Sequence, residues 1–376
     1  MKNIFLTLAF GVFSLNTLAL DINGFRIPCC MYRSIGNNDP LISNHWTNMT
    51  FDEYRALPEY QDLKNTMESG AWHEGCRACQ KSEELGISSL RLGNNKQIKH
   101  KKQDNNNIEF IEISLGNDCN LSCRMCAPNF STDYIKRIEN NPKLLDFVDF
   151  GNTDCKRISY GVEEMFDPVD LSNLKVIKYI GGEPFITPQV GKLFEYLDSN
   201  VDLSNVSLFT NTNATFFPKK YINYLKKFQT VFMCISIDGI AQRDDYIREG
   251  SSWKEKVEII KKYKKLGFNV SGHTVLNALN VDQALRLENF GHRYFAGKFP
   301  PHFTVCTNPE HLSLDALPPK YVKIICKQYP AIKKYFNNYN FSQEKCDKLK
   351  AFTKEFDKSS NKRLEDYIPL LAKHLT

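Results

Sequence analysis

The sequence predicts an α/β protein: a partial (β/α)6 barrel of parallel strands, with a small cysteine-bearing hairpin domain before it and a helical extension after it. Six short β-type runs alternate with helical segments after residue 107, and such alternation is typical of parallel βα units. Six units are fewer than the eight of a closed barrel, so we expect an open sheet. The predicted strands are residues 108–115, 176–180, 206–209, 231–237, 270–276 and 303–306.

Two helices between these strands have recognisable ends. Thr187-Pro188 supplies an N-cap and a proline at the first helical position, which predicts a helix that runs towards Asn200. The segment 252–255 (Ser-Trp-Lys-Glu) fits a capping box, and Gly267 stands where a C-cap glycine belongs. Both helices fall where a βα unit needs one.

A polar segment divides the chain. Residues 94–107 are almost free of apolar side chains, which predicts a linker. After residue 317, lysine-rich amphipathic segments interrupted by Pro330 and Pro369 predict a helical C-terminal region. The predicted division is a metal-binding hairpin domain at 1–95, a linker at 96–107, the barrel at 108–310 and the helical extension at 311–376.

Length and composition limit the class of protein. At ~150 residues per domain, 376 residues correspond to two or three domains. Hydrophobic residues make up 42% and charged residues 24%, which excludes wholesale disorder. Lys and Arg (49) exceed Asp and Glu (43) by six, too small an excess for a dedicated nucleic-acid binder. Beyond the N-terminus no apolar run approaches about 18 residues, so we expect no membrane span.

The first twenty residues have two interpretations. Lys2, an apolar stretch over residues 4–15 and Ala19 resemble a secretory signal peptide. Two apolar-rich runs, however, flank Asn23-Gly24, a strong indicator of a β-hairpin with a type I′ turn. We therefore expect opening strands of a folded domain in a cytoplasmic protein, with a cleaved signal at residues 1–20 as the alternative.

Three cysteines follow the first predicted barrel strand. Cys119, Cys123 and Cys126 form a CX3CX2C pattern, for which chance predicts about 0.01 occurrences in a chain with this cysteine content. Their polar neighbours suggest an exposed loop, which disfavours buried structural thiols. Three thiolates suit a 4Fe-4S cluster with one open iron, since a fully ligated cluster takes four cysteines and an open position admits a substrate. The loop also lies at the carboxyl end of a strand, where barrel enzymes place their active sites.

This pattern, after the first strand of a partial barrel, resembles the radical S-adenosylmethionine (SAM) superfamily, and the resemblance covers most of residues 108–310. It implies that Cys119, Cys123 and Cys126 bind three irons of a 4Fe-4S cluster and that SAM chelates the fourth. It also implies that one electron cleaves SAM to a 5′-deoxyadenosyl radical, which abstracts a hydrogen atom from a substrate. The cofactor supplies this chemistry, and the protein orients it and excludes water.

Other segments at strand ends resemble motifs of the same family. Residues 181–184 (Gly-Gly-Glu-Pro) resemble its GGEP segment, in which glycines allow close backbone approach to a ligand, although a plain βα turn explains them equally. Residues 210–213 (Thr-Asn-Thr-Asn) resemble its TNG turn, with asparagine where glycine is commoner, and residues 236–239 (Ser-Ile-Asp-Gly) resemble SIDG. Arg248 matches the arginine that follows SIDG in the family and is expected to clamp a carboxylate, whereas a solvated surface role is the alternative. The resemblance implies SAM contacts from Met125, Gly181, Gly182, Glu183, Thr210, Asn211, Ser236, Asp238 and Arg248. His273 is more typical of a hydrogen-bonded core residue, and no acid or base is assigned.

A second cysteine group precedes the barrel. Cys29, Cys30, Cys76 and Cys79, with the segment that continues to Arg91, resemble a twitch domain, which implies an auxiliary iron-sulfur cluster. Spacing alone also permits a zinc site. The family usually supplies a further cysteine before the hairpin, and residues 1–28 contain none. Either Cys29 and Cys30 both bind, or a distant residue or the substrate completes the ligand shell, or the site is degenerate. Ordinary thiols are expected at Cys155, Cys234, Cys306, Cys326 and Cys346.

These features lead to a function and two alternatives. We expect a radical SAM enzyme that acts on a peptide or protein, by analogy of architecture alone, and that takes electrons from a reductase or a ferredoxin- or flavodoxin-type donor. Nucleic-acid modification is an alternative, supported by Lys96, Lys99, Lys101 and Lys102, although such runs are usually solvated. A non-catalytic iron-sulfur carrier or scaffold is the other. The joint presence of GGEP, SIDG and Arg248 opposes it, because a carrier needs none of them.

Overall fold

The computed structural model describes residues 17–21, 24–29, 32–35, 38–84, 89, 91–92, 108–148, 156–159, 161–166, 169–295 and 302–375. The predicted linker at 96–107 lies outside these residues, as do Cys30, Cys155 and Asn23. Within them, no helix is both long and apolar enough to cross a membrane.

A mostly parallel sheet forms the centre of the fold and confirms the predicted α/β class. Its order is β10-β9-β7-β6-β5-β3-β1-β2, with β2 alone antiparallel, while β4 and β8 form a separate two-stranded pair. All six predicted barrel strands are present, and the two edge strands do not pair with each other, so the sheet is open. The strands are β1 Thr17–Leu20, β2 Arg26–Ile27, β3 Phe110–Ser114, β4 Ser122–Cys123, β5 Val176–Ile180, β6 Ser207–Thr212, β7 Thr230–Ser236, β8 Arg248–Glu249, β9 Asn269–Leu276 and β10 His302–Val305.

Helices follow the strands and continue beyond them. In the described part of the chain they are α1 Pro40–Ser43, α2 Phe51–Ala56, α3 Pro58–Glu68, α4 Arg77–Glu84, α5 Thr132–Asn140, α6 Glu163–Phe166, α7 Val190–Asn200, α8 Ile222–Leu225, α9 Gln242–Ile247, α10 Trp253–Lys265, α11 Ala284–Tyr294, α12 Pro319–Gln328, α13 Gln343–Ser360, α14 Leu364–Tyr367 and α15 Pro369–Ala372. The last four confirm the predicted helical extension. They pack in a second core with the end of β9 and the segment that follows it, including Leu276 and Leu279.

The two faces of the sheet differ in burial. Because side chains alternate along a strand, each of the later strands has one buried face and one partly exposed face. On β7 and β9 the buried positions alternate strictly with half-buried ones. The buried face is apolar and includes Ile177, Leu208 and Val231, which are neighbours in register. We call the other side the open face; its polar members include Glu112, Lys178, Asn211, Cys234, Ser236, Ser271 and His273.

The first two strands belong to the same sheet as the barrel strands. β1 pairs in parallel with β3, and its buried Leu18 and Leu20 share one core with the barrel. β1 therefore extends the sheet of the barrel. The predicted boundary near residue 95 lies outside the described residues and stays a prediction. β1 and β2 do pair as an antiparallel hairpin, but the Asp21 N–H donates to the Phe25 carbonyl at 2.9 Å. The register of these described pairs, Leu20 with Arg26 and Asp21 with Phe25, differs from that of a two-residue turn at residues 23–24.

The predicted helix signals are accurate to within a turn. The helix expected from Thr187-Pro188 begins later, at Val190, because Pro184–Ile186 forms a short 3-10 turn first. The Ser252 side chain caps α10 by accepting from the Glu255 N–H. Gly267 ends that helix with φ +81, a conformation that favours glycine. The sheet order places the carboxyl ends of β6, β7 and β9 side by side.

Candidate functional site

The three cysteines lie at the carboxyl end of β3, in a loop held from two sides. Cys123 belongs to β4, which pairs with β8 so that Cys123 opposes Arg248. On the other side, the Cys119 N–H donates to the Thr132 hydroxyl at 3.2 Å, and that hydroxyl donates to the Cys119 carbonyl at 3.1 Å. The Cys126 N–H closes a turn onto the Cys123 carbonyl at 2.9 Å. These hydrogen bonds hold the backbone of the loop on both sides of the cysteines.

This loop is polar in sequence but mostly buried. Asn117, Ser122 and Arg124 are 0% exposed, which contradicts the expectation of an exposed loop, although Asn120 is exposed. Internal hydrogen bonds explain the burial: the Asn117 side chain donates to the Lys156 carbonyl at 2.8 Å, and Arg124 Nε donates to the Tyr246 carbonyl at 2.8 Å. Arg124 is a residue that the sequence did not single out.

Burial sets the protonation of the three thiols. It raises the pKa of each, to about 12 for Cys123. The proximity of Cys123 and Cys126 raises the pKa of Cys119 further, whereas the Arg248 guanidinium opposes the rise at Cys123. Without a cation these groups are therefore neutral thiols, and metal binding must displace their protons.

The segment after β5 packs directly on the cysteine loop. A Cβ atom at Gly182 would lie 2.3 Å from the Asp118 carbonyl oxygen, and the Glu183 N–H donates to that oxygen at 2.7 Å. Gly181 has φ +148, and its Cβ would lie 2.9 Å from the Gly116 carbonyl oxygen. The close approach that requires these glycines is thus to the protein's own backbone.

Glu183 connects this segment to the end of β6. Its carboxylate is 1% exposed and accepts from the Thr212 hydroxyl and the Asn213 N–H, both at 2.7 Å. Burial raises the Glu183 pKa to about 7, and these hydrogen bonds oppose the rise. The Asn213 side chain in turn lies 3.9 Å from the Cys119 sulfur.

The predicted members of the β6 turn separate onto opposite faces. Thr210 is 1% exposed and points into the core side, while Asn211 is exposed on the open face. The structure therefore does not bring Thr210 to the cysteine loop. Thr212 and Asn213 take that place, two residues further along a strand that is longer than predicted.

The end of β7 brings a buried ion pair to the second cysteine. Arg248 Nη2 lies 2.6 Å from Asp238 Oδ2, and Arg248 Nη1 donates to the Cys123 sulfur at 3.7 Å. Asp238 is 0% exposed and its other oxygen accepts from the Val275 N–H at 2.8 Å. Burial raises the pKa of Asp238 while Arg248 opposes this. Burial alone would lower the pKa of Arg248, but Asp238 and Cys123 outweigh it and raise that pKa.

A second buried pair supports the first. Lys256 and Asp244 are both 0% exposed and form an ion pair, and Lys256 Nζ also donates to the Ser236 carbonyl at 3.2 Å. The Asp244 carboxylate accepts from the Asp238 N–H at 2.9 Å. The side chain of Ser236 is half-buried on the open face, and Met125 packs half-buried against the C-terminal core.

Comparison with known families matches residues 113–290 to the Radical SAM superfamily. The matched segment begins in β3 and includes the three cysteines, the Gly-Gly-Glu segment and the Asp238–Arg248 pair. The chain contains a radical SAM domain. The resemblance of the barrel segment to this superfamily is thereby confirmed, and the match does not extend to the second cysteine group.

Individual proteins match this domain over shorter stretches. GTP 3′,8-cyclase of Trichodesmium erythraeum is 31% identical over 107 residues, 28% of each chain, and that of Listeria monocytogenes is 22% identical over 162 residues, 42% of each chain. These matches span less than half the length of the curated relatives. Among solved structures, anSMEcpe with bound AdoMet aligns at TM-score 0.39 and 15% identity over 62% of this chain and 63% of that one. Streptococcus suis SuiB bound to the precursor peptide SuiA aligns at TM-score 0.35 and 14% identity over 78% and 70%.

The radical SAM domain has a donor set that fits a cluster. The family implies a 4Fe-4S cluster and SAM. Three thiols share one buried loop, and Asn213 and Arg248 place N–H groups near two of the sulfurs, contacts that tune iron-sulfur clusters. Arg248 Nε is buried without a hydrogen-bond partner among the described residues, so a donor remains for a ligand there.

Outside the radical SAM domain, the second cysteine group is drawn together by two loops. The Arg33 N–H donates to the Gly75 carbonyl at 2.9 Å, and the Tyr32 N–H donates to the Cys29 carbonyl at 3.0 Å. A Cβ at Gly75 would lie 2.1 Å from the Tyr32 ring, so glycine is required there. Burial, with help from Cys79, raises the Cys76 pKa to about 11.

In the described part of the chain, no three His, Cys, Asp or Glu side chains are arranged to hold a single metal ion. A cluster spreads its thiolates over different irons, so this observation bears on mononuclear sites only. Cys29 packs beside Phe110 and Phe209, on the same side of the sheet as Glu112. Both cysteine groups therefore border the open face.

Polar groups lie between them on that face. Lys178 Nζ and Glu112 Oε1 form an ion pair at 3.0 Å, and Glu112 Oε2 is buried without a hydrogen-bond partner among the described residues. Burial lowers the His273 pKa to about 4, and the neighbouring His302, Arg248 and Lys178 lower it further. A neutral imidazole thus faces the side of the sheet that carries Arg248.

Proposed function

We propose that this chain is a radical SAM enzyme that reductively cleaves SAM at a 4Fe-4S cluster held by Cys119, Cys123 and Cys126. The observation that carries the proposal is the single buried loop that brings these three thiols together at the carboxyl end of a parallel sheet, beside Arg248. When bound, the cluster and SAM supply a 5′-deoxyadenosyl radical for hydrogen abstraction. The chain's residues hold the thiols in position, donate to their sulfurs and exclude water.

Anaerobic reconstitution with iron and sulfide tests this proposal. Incubation with SAM and dithionite should yield 5′-deoxyadenosine in the wild type and none in Cys123→Ala. Cys326→Ala is the matched control, because that thiol is partly exposed on α12, away from the loop. A cluster absorption band with no SAM cleavage would instead favour the carrier or scaffold.

We further propose a peptide or protein substrate. The open face is polar, and it ends at β10, whose outer edge has no strand partner among the described residues. An extended peptide can add to such an edge through main-chain hydrogen bonds. The most useful source of a candidate is a short precursor encoded beside this protein. Hydrogen exchange with that peptide should protect His302–Val305, and an unprotected β10 would contradict the docking mode.

The second cysteine group is proposed to hold an auxiliary iron-sulfur cluster, with Cys29, Cys30, Cys76 and Cys79 as ligands. The hydrogen bond from Arg33 to Gly75 that joins the two loops, and the proximity of half-buried Cys76 to buried Cys79, support it. Cys76→Ala should lower iron and sulfide content while SAM cleavage continues, and turnover of the true substrate should fall. Zinc in place of iron would indicate the alternative metal. Loss of SAM cleavage in Cys76→Ala would show that the two sites are not separate.

A further inference from the structure

The C-terminal helices form a cationic groove behind the cysteine loop. The groove has a volume of about 650 Å³ and is lined by α13 and by the segment that continues into α14 and α15. Its floor includes Leu364 and Leu375, which are 7% and 5% exposed. Lysines border it, and we call it the C-terminal groove.

Three of these lysines have no counter-ion within the part of the chain that the structure describes. Lys350, Lys354 and Lys358 are spaced four residues apart, so they share one face of α13. All three are exposed, and none has an ion-pair partner among the described residues. Like charges at this spacing destabilise a helix. The stability of the helix therefore does not explain why these three lysines are aligned. Their positive charge is available to bind an external anion.

The neighbouring cations in the groove are already paired. Lys362 Nζ lies 2.7 Å from Glu249 Oε2, and Arg363 Nη2 lies 2.8 Å from Asp366 Oδ1. Lys350, Lys354 and Lys358 thus differ from these neighbouring cations in having no ion-pair partner among the described residues.

A buried hydroxyl marks the same groove independently. Thr353 lines it and is 3% exposed, and its Oγ1 has no hydrogen-bond partner in the described part of the chain. A buried polar group without a partner carries a desolvation cost that a bound acceptor or donor would remove. Lys350 and Lys354 flank this hydroxyl in sequence.

The groove also contacts the cysteine loop. Asp357, another lining residue, accepts from Arg124 Nη2 at 2.6 Å and from the Tyr246 hydroxyl at 3.0 Å. Arg124 directly follows Cys123 in the chain. A molecule bound in the groove beside Asp357 would thus be connected to Cys123 through the Asp357–Arg124 ion pair and one peptide bond.

We propose that the C-terminal groove is the docking site for a small acidic one-electron carrier protein, of the flavin or iron-sulfur type. This inference rests on the proposed function. In the step that follows docking, the reduced carrier loses one electron and the cluster at the cysteine loop gains it; no bond is formed or broken, and no proton moves. A nucleic acid also carries negative charge, but the apolar floor and the direct contact with the cysteine loop favour the carrier.

A charge-reversal pair tests the docking. Lys350→Glu/Lys354→Glu reverses the row, and Lys323→Glu/Lys327→Glu makes the same charge change at the same spacing on exposed positions of α12. Binding of a purified flavodoxin to the reconstituted protein would be measured by titration calorimetry at low and high salt. We expect Kd to rise at least about tenfold for the groove variant and less than about twofold for the control. Wild-type binding should weaken with salt.

A second readout separates this inference from the proposed function. The groove variant should cleave SAM with dithionite, which needs no docking, at the wild-type rate but should lose most of the flavodoxin-driven rate. Equal Kd values in all three proteins, or equal weakening in both variants, would overturn the inference. So would an RNA that displaces flavodoxin from the groove and binds more tightly. If the wild type did not cleave SAM with dithionite, the proposed function would be contradicted. The docking inference would then be judged from the flavodoxin Kd values alone.

Discussion

Replacement of Arg124 by methionine should destabilise the protein strongly. The Arg124 side chain is 0% exposed, and its guanidinium carbon lies 3.8 Å from the ring centroid of Tyr246 and 4.4 Å from that of Phe356. Methionine fills part of this space but leaves the Asp357 carboxylate without its cation. Breaking a buried ion pair costs ~3–5 kcal/mol. The lower end applies, because Asp357 keeps the Tyr246 hydroxyl and is 11% exposed.

A double-mutant cycle measures the pairwise part of that cost. Asp357→Asn removes the charge but keeps an oxygen that can accept from Tyr246. The double variant Arg124→Met/Asp357→Asn leaves no unpaired charge, so it should cost ~2–3 kcal/mol less than the sum of the single changes. Urea unfolding under anaerobic reducing conditions, with m-values compared, gives the four free energies.

Arg157 provides the matched control. Its Nε lies 2.8 Å from Asp118 Oδ1, so the chemistry of the pair is the same, but the Arg157 side chain is 58% exposed. Exposed pairs contribute ~0–1 kcal/mol, and Arg157→Met should therefore have a small effect. A coupling energy under ~0.5 kcal/mol between Arg124 and Asp357, or equal costs for both arginines, would refute the reasoning.

Further predictions follow from the site. Gly182→Ala should prevent cluster incorporation, measured as iron content, whereas Gly191→Ala should bind iron normally, since its Cβ would be 3.7 Å from the nearest atom in a helix. Because the Glu183 pKa is raised from 4.5 to about 7, its contribution to stability is full below pH 4.5 and lost as pH rises through 7. The wild type should thus lose up to ~3 kcal/mol relative to Glu183→Gln between pH 4.5 and 8, and parallel curves would contradict this. The His273 imidazole, with a pKa of about 4, should stay neutral from pH 5 to 8 by NMR; a midpoint above 6 would refute it.

Much of the sheet could be predicted because its signals are local. The strand Val176–Ile180 agrees with the prediction at both ends, since an apolar run there is bounded by polar residues and a glycine pair. The cysteine spacing was informative for the same reason. A parallel sheet also brings successive strand ends to one edge, so motifs separated by about a hundred residues could be placed together from the sequence.

Long-range polar contacts could not be predicted in this way. Arg124 and Asp357 are 233 positions apart, and nothing in either local sequence indicates the other. The polar residues around the cysteines suggested exposure because composition reports polarity and not whether a partner exists inside the protein. Once Asn117 and Arg124 find internal acceptors, burial of the loop follows.

The turn after β6 shows how an error of a few residues changes a site. The strand was predicted to end at residue 209 but extends to Thr212. Since neighbouring side chains on a strand face opposite sides, Thr210 goes to the core. Thr212 and Asn213 donate hydrogen bonds to Glu183 at the end of the strand. Which residues make these bonds depends on where the strand ends, and the sequence motif alone does not determine that.

The sequence predicts that the Gly-Gly-Glu segment lets the backbone approach a ligand. In the structure, the glycines are needed first for close contact with the backbone of the cysteine loop. Gly182 approaches the Asp118 carbonyl, which directly precedes Cys119, and Glu183 ties that contact to β6 through Thr212. The segment therefore sets the position of the first cysteine before any cofactor binds. A side chain at residue 182 would move the Asp118 backbone and with it Cys119, so the motif would be needed for cluster geometry even if none of its atoms touched SAM.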